Sequence, residues 1–265
     1  MKSGSHVLTV SGDNAGMGEW LLEAGTLKFG SATAAGKGVT TTAAATIDLN
    51  GQNLSAQPLT VLEADTTMTN SSATAATWNG TIALPASGDF IFDVSAGALE
   101  VTGAITSSSA GSIVKNGSGT VTLSSMSNNY HGNTTINAGE MILTGRTVFY
   151  IGNDGVNNSI NGSGDVTFGG EFAFDLAGAG STIGDSWNVV DVGNLGVTWD
   201  GGFSVFDFTN SGGGIWTGLF FGSQYEFSEL TGQLSVVAVP EPGVISLIAL
   251  AGASLFAFRR FRRSR

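Results

Sequence analysis

The sequence predicts an all-β chain: a coil of short stacked strands, a β-solenoid, followed by one C-terminal apolar segment suited to a single transmembrane helix. Three observations predict it. Apolar and polar residues alternate in short runs throughout the body, related octapeptides recur along it, and long amphipathic helical patterns are absent.

The strands come first. Leu27 and Phe29, Leu99 and Val101, Val121 and Leu123, and Val166 and Phe168 each fall at period two, the mark of a half-buried strand of about five residues. Clusters such as Asn116-Gly117-Ser118-Gly119 and Asn161-Gly162-Ser163-Gly164 bound them and permit the positive φ of sharp corners. The octapeptides AGTLKFGS from Ala24, AGALEVTG from Ala96 and AGEMILTG from Ala138 are self-similar, as are NGSGTVTLSS from Asn116 and NGSGDVTFGG from Asn161. Their spacing is uneven, which describes a degenerate coil with variable loops over residues 1–145. Stacked strands about 4.8 Å apart bury one another's apolar faces and satisfy one another's backbone. A β-sandwich uses similar strands, and only the repeats separate the two.

One stretch is more specific. From Lys115 to Gly145 the chain reads K-x-G-x-G-T-x-T-L, then Asn129-Tyr130 before Gly132, Thr134-Thr135, and Asn137-Ala138-Gly139 before the last strand. This resembles the autotransporter-associated β-strand repeat, also called the passenger-associated transport repeat. The resemblance implies a right-handed parallel β-helix on a bacterial surface protein and brings no catalytic residues. His131 stands where that repeat usually has a small polar residue.

Residues 146–235 are β-rich and aromatic, either a second small β-domain or a cap that closes the open end of the coil. Residues 236–265 form a tail of three parts. Pro240 and Pro242 stiffen an extended, exposed tether around Glu241. Gly243 to Phe258 carries no charge, and as a helix reaches about 24 Å, enough for the roughly 30 Å hydrocarbon core once flanking residues snorkel. Arg259, Arg260, Arg262, Arg263 and Arg265 then hold that end in the cytoplasm.

That order resembles a PEP-CTERM sorting signal, with Pro240, Glu241 and Pro242 matching its motif residue by residue. The resemblance implies recognition by exosortase, a membrane peptidase of exopolysaccharide-making Gram-negative bacteria, and cleavage near the PEP element. The region around Gly184–Val192, Gly214–Thr217, Tyr225–Phe227 and Thr231–Leu234 resembles the end of many repeat-bearing PEP-CTERM proteins. Such proteins also carry an N-terminal secretion signal. Met1 to Gly16 has one lysine and no apolar stretch beyond four residues, so it is not one, and the expectation is a true start further upstream.

Composition narrows the function. The 265 residues include 40 glycines, no cysteine and two histidines, with only 12% charged, so thiolate chemistry is absent and imidazole chemistry scarce. Half of the ten basic residues lie in the last seven positions, and Thr147 to Phe258 has none, which argues against nucleic-acid binding. Asp185 and Asp191, on one continuous strand, would stand roughly 20 Å apart, too far for an acid/base pair. The loop of Asn153, Asp154, Asn157, Asn158, Asn161 and Asp165 is rich in oxygen ligands, yet its spacing fits no calcium motif and reads as turn chemistry. His131 has no recognisable catalytic partner. Trp78, Trp199 and Trp216 are the candidates for stacking on sugars, against the ordinary alternative of core packing.

The reading is therefore a non-enzymatic cell-surface or matrix protein with no catalytic residue, metal or cofactor, membrane-held before processing and structural or adhesive within exopolysaccharide. The alternative is an extracellular carbohydrate-active enzyme or carbohydrate-binding adhesin on a β-helix, since the fold alone implies no chemistry. A uronate lyase wants cationic neutralisation, and the body before the tail has five Lys and Arg residues.

Overall fold

The computed structural model describes residues 1–238. They form a parallel β-solenoid of about seven turns closed by an antiparallel sheet, and among them there is no helix. The C-terminal span expected at 243–258 lies outside the described residues.

A complete turn visits three faces. Face one stacks eight strands: Val7–Val10, Thr26–Phe29, Thr46–Asp48, Thr66–Thr69, Asp89–Asp93, Ser112–Asn116, Thr134–Ile136 and Ile160–Gly162. Face two stacks seven, from Asn53–Leu54 to Gly196–Trp199. Face three begins with five, from Trp20–Leu22 to Ile105–Thr106, and resumes as a separate sheet of Arg146–Tyr150, Glu171–Asp175 and Ser204–Val205. The parallel coil thus runs on well past Gly145.

The period-two residues point inward in register, because a parallel ladder places like positions directly over one another. On face one the column is Leu8, Leu27, Ile47, Met68, Phe92, Lys115, Ile136. On face two it is Leu54, Trp78, Val101, Leu123, Leu143, Phe168, Trp199. All four residue pairs that the alternation predicts are buried. Outward positions carry mainly threonine, with Thr77, Thr122, Thr167 and Thr198 down face two beside Glu100 and Ile142. Threonine suits a pleated surface that faces water.

The register also resolves the uneven repeats. Leu99 pairs with Val121, Val121 with Met141, and Met141 with Val166, so each long spacing read from the octapeptides on this face covers two coils. A coil takes from nineteen residues, where Val7 pairs with Thr26, to thirty-three, where Glu171 pairs with Ser204. AGTLKFGS does not mark the same place as its two relatives. Its strand, Thr26–Phe29, lies on face one, whereas Ala98–Val101 and Glu140–Leu143 lie on face two. The octapeptide encodes a corner followed by a strand, and a three-sided coil can use it at more than one corner.

Why those corners hold glycine is a matter of distance. Gly139 has φ +65°, and a Cβ there would meet the carbonyl oxygens of Gly117 and Gly119, both at 2.6 Å. The corner of one coil rests directly on the backbone of the one before.

The coil ends under a five-stranded antiparallel sheet in the order Ser186–Asn188, Gln233–Val237, Ser223–Ser228, Ile215–Phe220, Thr209–Gly212. Its inner side chains, among them Trp187, Trp216, Tyr225 and Phe227, pack on an aromatic cluster in the last coils. Phe172 lies 5.7 Å from Phe227 and 4.9 Å from Phe203, and Trp199 stacks on Phe168 at 4.6 Å. Parallel stacking leaves backbone groups unpaired at its end, and this sheet covers part of that edge.

Two glycine variants separate stacking from backbone strain. Gly155 also has positive φ (+73°), but a Cβ there has no neighbour within 4 Å. Gly155→Ala is expected to cost about 1–2 kcal/mol, the left-handed penalty alone. Gly139→Ala should cost about 3 kcal/mol or more, because overpacking adds to that penalty. Urea unfolding of both variants measures the difference.

Candidate functional site

The most closely built polar site among the described residues lies inside the coil. Lys115 occupies an inward position on face one, between Phe92 and Ile136, and is fully buried. Its ammonium donates to the carbonyls of Asn116 (2.8 Å), Gly117 (2.8 Å) and, one coil on, Ala138 (3.1 Å). The Asn116 carbonyl also accepts from the Val94 N–H at 3.3 Å, and the amine with its three donors joins it to the corner carbonyls of Gly117 and Ala138. The Asn137 side-chain amide donates a hydrogen bond to the Asn116 side-chain oxygen at 2.9 Å, on the outside of the same corner.

Lys2 repeats this geometry. Its ammonium donates to Ser3 (3.3 Å), Gly4 (2.5 Å) and Ala24 (3.0 Å), again two local carbonyls and one from the next coil. Lys2 bridges Leu22 and so leads out of face three, whereas Lys115 leads out of face one. The sequence shows the device as Lys-x-Gly followed about one coil later by Ala-Gly: Lys2 with Ala24-Gly25, and Lys115 with Ala138-Gly139. Reading Lys115 only as a repeat's first letter missed that it is a buried clamp.

The second site lies where face three breaks. After Ile105–Thr106 the sheet keeps only a single bridge, Thr106 to Asn129, before the new sheet opens at Arg146. The step leaves a groove of about 450 Å³ lined by Ala83, Leu84, Thr106, Ser107, Ser108, Asn129 and His131. His131 closes one end, its ring stacked on Tyr150 at 3.8 Å and 15°. Its Nδ1–H donates to the Ser107 carbonyl at 2.9 Å, a pairing that leaves Nε2 as the acceptor in the neutral ring. The Tyr150 hydroxyl donates to the Asn129 side chain. Burial, and then the Asp175 carboxylate, hold the Tyr150 phenol above its usual pKa, so it stays a donor at neutral pH. Tyr130, the other half of the Asn-Tyr pair, points inward and bonds Thr134 at 2.8 Å. The groove offers hydroxyl, amide and imidazole groups without a charged side chain in its lining.

The other candidates separate. Asp185 and Asp191 do not share one strand. Ser186–Asn188 pairs with the cap while Val190 bridges back to Ile160, and each carboxylate is used locally, Asp185 by the Thr182 N–H and Asp191 by the Asn194 amide. The oxygen-rich loop spends its side chains on structure. Asp154 accepts from the Ser186 N–H, Asn157 donates to Asn188, and Asn158 bridges Tyr150 and Val148. Among the described residues no three His, Asp or Glu side chains gather to hold a metal ion.

Two of the three sugar-stacking candidates are corrected to core. Trp78 is completely buried in the face-two column, and Trp216 is buried under the cap with its indole N–H on Glu229 at 2.7 Å. Period-two position predicts this for Trp78, since it shares an inward column with Leu54 and Val101. Trp199 alone keeps an exposed edge, in a cleft of about 430 Å³ with Val197, Glu229 and Leu230. The processing motif Pro240, Glu241 and Pro242, and the arginines Arg259, Arg260, Arg262, Arg263 and Arg265, lie outside the described residues.

Residues 113–143 match the passenger-associated-transport-repeat family. Neither a curated protein nor a solved structure matches the chain. The matched segment runs from the strand that carries Lys115, through the Asn129-Tyr130 corner, to the end of Glu140–Leu143, about one and a half turns. A repeat of this kind within a solenoid fits an extracellular, surface-exposed, passenger-like protein.

Lys115→Met keeps the volume and removes the clamp. The variant is expected to lose about 1.5–3 kcal/mol, the worth of hydrogen bonds to a charged group, in urea unfolding. Desolvation holds the Lys115 pKa below its ordinary 10.5, against a smaller opposing effect of Asp93. The unfolded chain then binds the extra proton between the two pKa values, so the Lys115 contribution grows as pH rises through the lowered value and levels off near 10.5. That alkaline rise should be missing from Lys115→Met when the two stability profiles are subtracted.

Proposed function

We propose that the chain is a non-enzymatic, exported protein of the cell surface or extracellular matrix of a Gram-negative bacterium. It is sorted by exosortase through its tail and has a structural or adhesive role in exopolysaccharide. The observation that carries this reading is the repeat of residues 113–143 set in a coil of about seven turns. Such a coil presents long faces of threonine, serine and asparagine to its surroundings, and these meet polysaccharide hydroxyls as equals in hydrogen bonding.

The tail supports the sorting half of the proposal. Pro240, Glu241 and Pro242 form the recognition element, residues 243–258 form a single spanning helix, and the five arginines from Arg259 to Arg265 keep its end cytoplasmic. Before processing, the body is thus held outside the membrane that the tail crosses. Cleavage near the PEP element would free it or pass it to the matrix.

A second reading, a carbohydrate-binding adhesin or a carbohydrate-active enzyme, is favoured by the uncharged groove at His131. A glycan array separates the three. Binding without turnover that His131→Ala abolishes would identify an adhesin, turnover an enzyme, and neither the structural role.

Processing has its own test. The full chain, preceded by a secretion signal, is expressed in Gram-negative hosts with and without exosortase, and the mature mass is measured. The expected product in the first host lacks the arginine cluster, and replacing Pro240, Glu241 and Pro242 together by alanine restores it. An intact arginine tail on the unaltered secreted protein would overturn the sorting proposal.

A further inference from the structure

The described chain ends beside the tip of the cap's central hairpin. Leu219 pairs with Gln224 and Gln224 with Val237, so the last strand finishes two strand spacings, roughly 10 Å, from Leu219. The loop Ser181–Asp185 joins the same end: the Gly184 N–H donates to the Val236 carbonyl at 3.0 Å, and the Ser223 hydroxyl to that of Ser181 at 3.3 Å. Three large apolar side chains stand in water there. Ile183 is 68% exposed, Leu219 66% and Phe221 82%. Behind them Phe220 packs against Phe208 at 5.3 Å.

Phe221 is also an outlier in backbone. Phe221 and Gly222 form the two-residue turn between the paired Phe220 and Ser223, with φ of +52° and +85°. Turns with two positive φ values are ordinarily Asn-Gly or Gly-Gly. The other non-glycine residues of positive φ among those described are Asn50, Asp65 and Asp207, whose short polar side chains tolerate that region. A phenylalanine there is strained and contributes no burial to the fold in return. Strain held at an exposed tip points to use outside the fold.

We propose that this tip is a second membrane contact, with Ile183, Leu219 and Phe221 seated in the interfacial layer of the bilayer that the tail enters. The proposal rests on the tail reading given above. Only four residues lie between Ala238 and Gly243, five chain steps with a reach of at most about 18 Å, so an inserted tail holds this end of the cap close to lipid. Residues 219–224, LFFGSQ, carry no charge, and aromatic and aliphatic side chains are the ones that settle at the headgroup boundary. The acidic body would be repelled by anionic headgroups, so the partner surface is zwitterionic lipid met through apolar burial.

The chain has no cysteine, which allows single labels in the full-length protein. An environment-sensitive fluorophore is placed by Leu219→Cys at the tip, by Ala251→Cys in the tail, or by Thr122→Cys on face two. Each protein is reconstituted in phosphatidylcholine vesicles with nitroxide quenchers at shallow or deep positions. Shallow quenching at 219, deep quenching at 251 and none at 122 is the expected result. Adding Phe221→Gly to the tip-labelled protein should then lower the ratio of docked to free tip about tenfold, the cost of losing one buried phenylalanine. The same change should raise the thermal midpoint, because glycine relieves the turn. Quenching at 251 without quenching at 219 overturns the tip contact and leaves the tail reading standing. Absence of both overturns the tail reading, and the tip proposal falls with it. Shielding of 219 that depends on protein concentration and needs no lipid assigns the patch to a second copy, which also overturns the proposal.

Discussion

Along the strands of a parallel coil the backbone N–H and C=O groups point along the stacking axis, and almost everything else in this structure follows from that direction. A coil is satisfied only by another coil about 4.8 Å away, so strands must overlay in register and corners must overlay with them. On the straight faces side chains have room to alternate in and out. At the corners the chain lies on the backbone beneath, and a Cβ would fall within 2.6 Å of a carbonyl oxygen at Gly139 and 2.5 Å at Gly25. Glycine there is a packing requirement as much as a conformational one.

The same geometry creates the problem that the lysines solve. Corner carbonyls that turn inward meet neither strand nor water, and leaving them unpaired is costly. Asparagine answers it in one place: Asn70, buried, accepts from Gly51 and Ser72 and donates to Thr74 and Ala98, using its whole hydrogen-bonding capacity. Lys2 and Lys115 answer it with an amine that joins two successive coils. The passenger-associated repeat is in this light a statement about corners, which explains how a chain can match it over 31 residues while the coil runs on before and after the match.

The parts of the fold set by local period were legible in the sequence. Alternation at Leu99 and Val101 or Val166 and Phe168 identifies inward columns because a strand has only two sides. Coil length was not legible, since the octapeptides recur at corners and a coil has three; the copy at Ala24 and the copy at Ala138 sit at different ones. The candidate sites divide the same way. Trp78 was knowable as core from its column, but the groove at His131 arises from a break in face three that no local pattern records. The tryptophan beneath the cap, Trp216, is buried by strands that pair across the cap sheet, a long-range fact. Phe221 carried a readable signal, a phenylalanine where a tight turn wants asparagine, that composition counting passes over.

The coils are also unequal in girth. The early ones take about twenty residues and fill mainly with leucine, isoleucine and valine around the single ring of Phe29, while the last two take 26 and 30 and fill with the rings of Phe149, Phe168, Phe172 and Trp199. Units of such different length are not interchangeable. Gene duplication could lengthen the slender portion by whole copies, each new coil fitting its neighbours on both sides. At the other end the coils of 26 and 30 residues differ from each other and from those before, so a copied coil there would not overlay its neighbours in the same way.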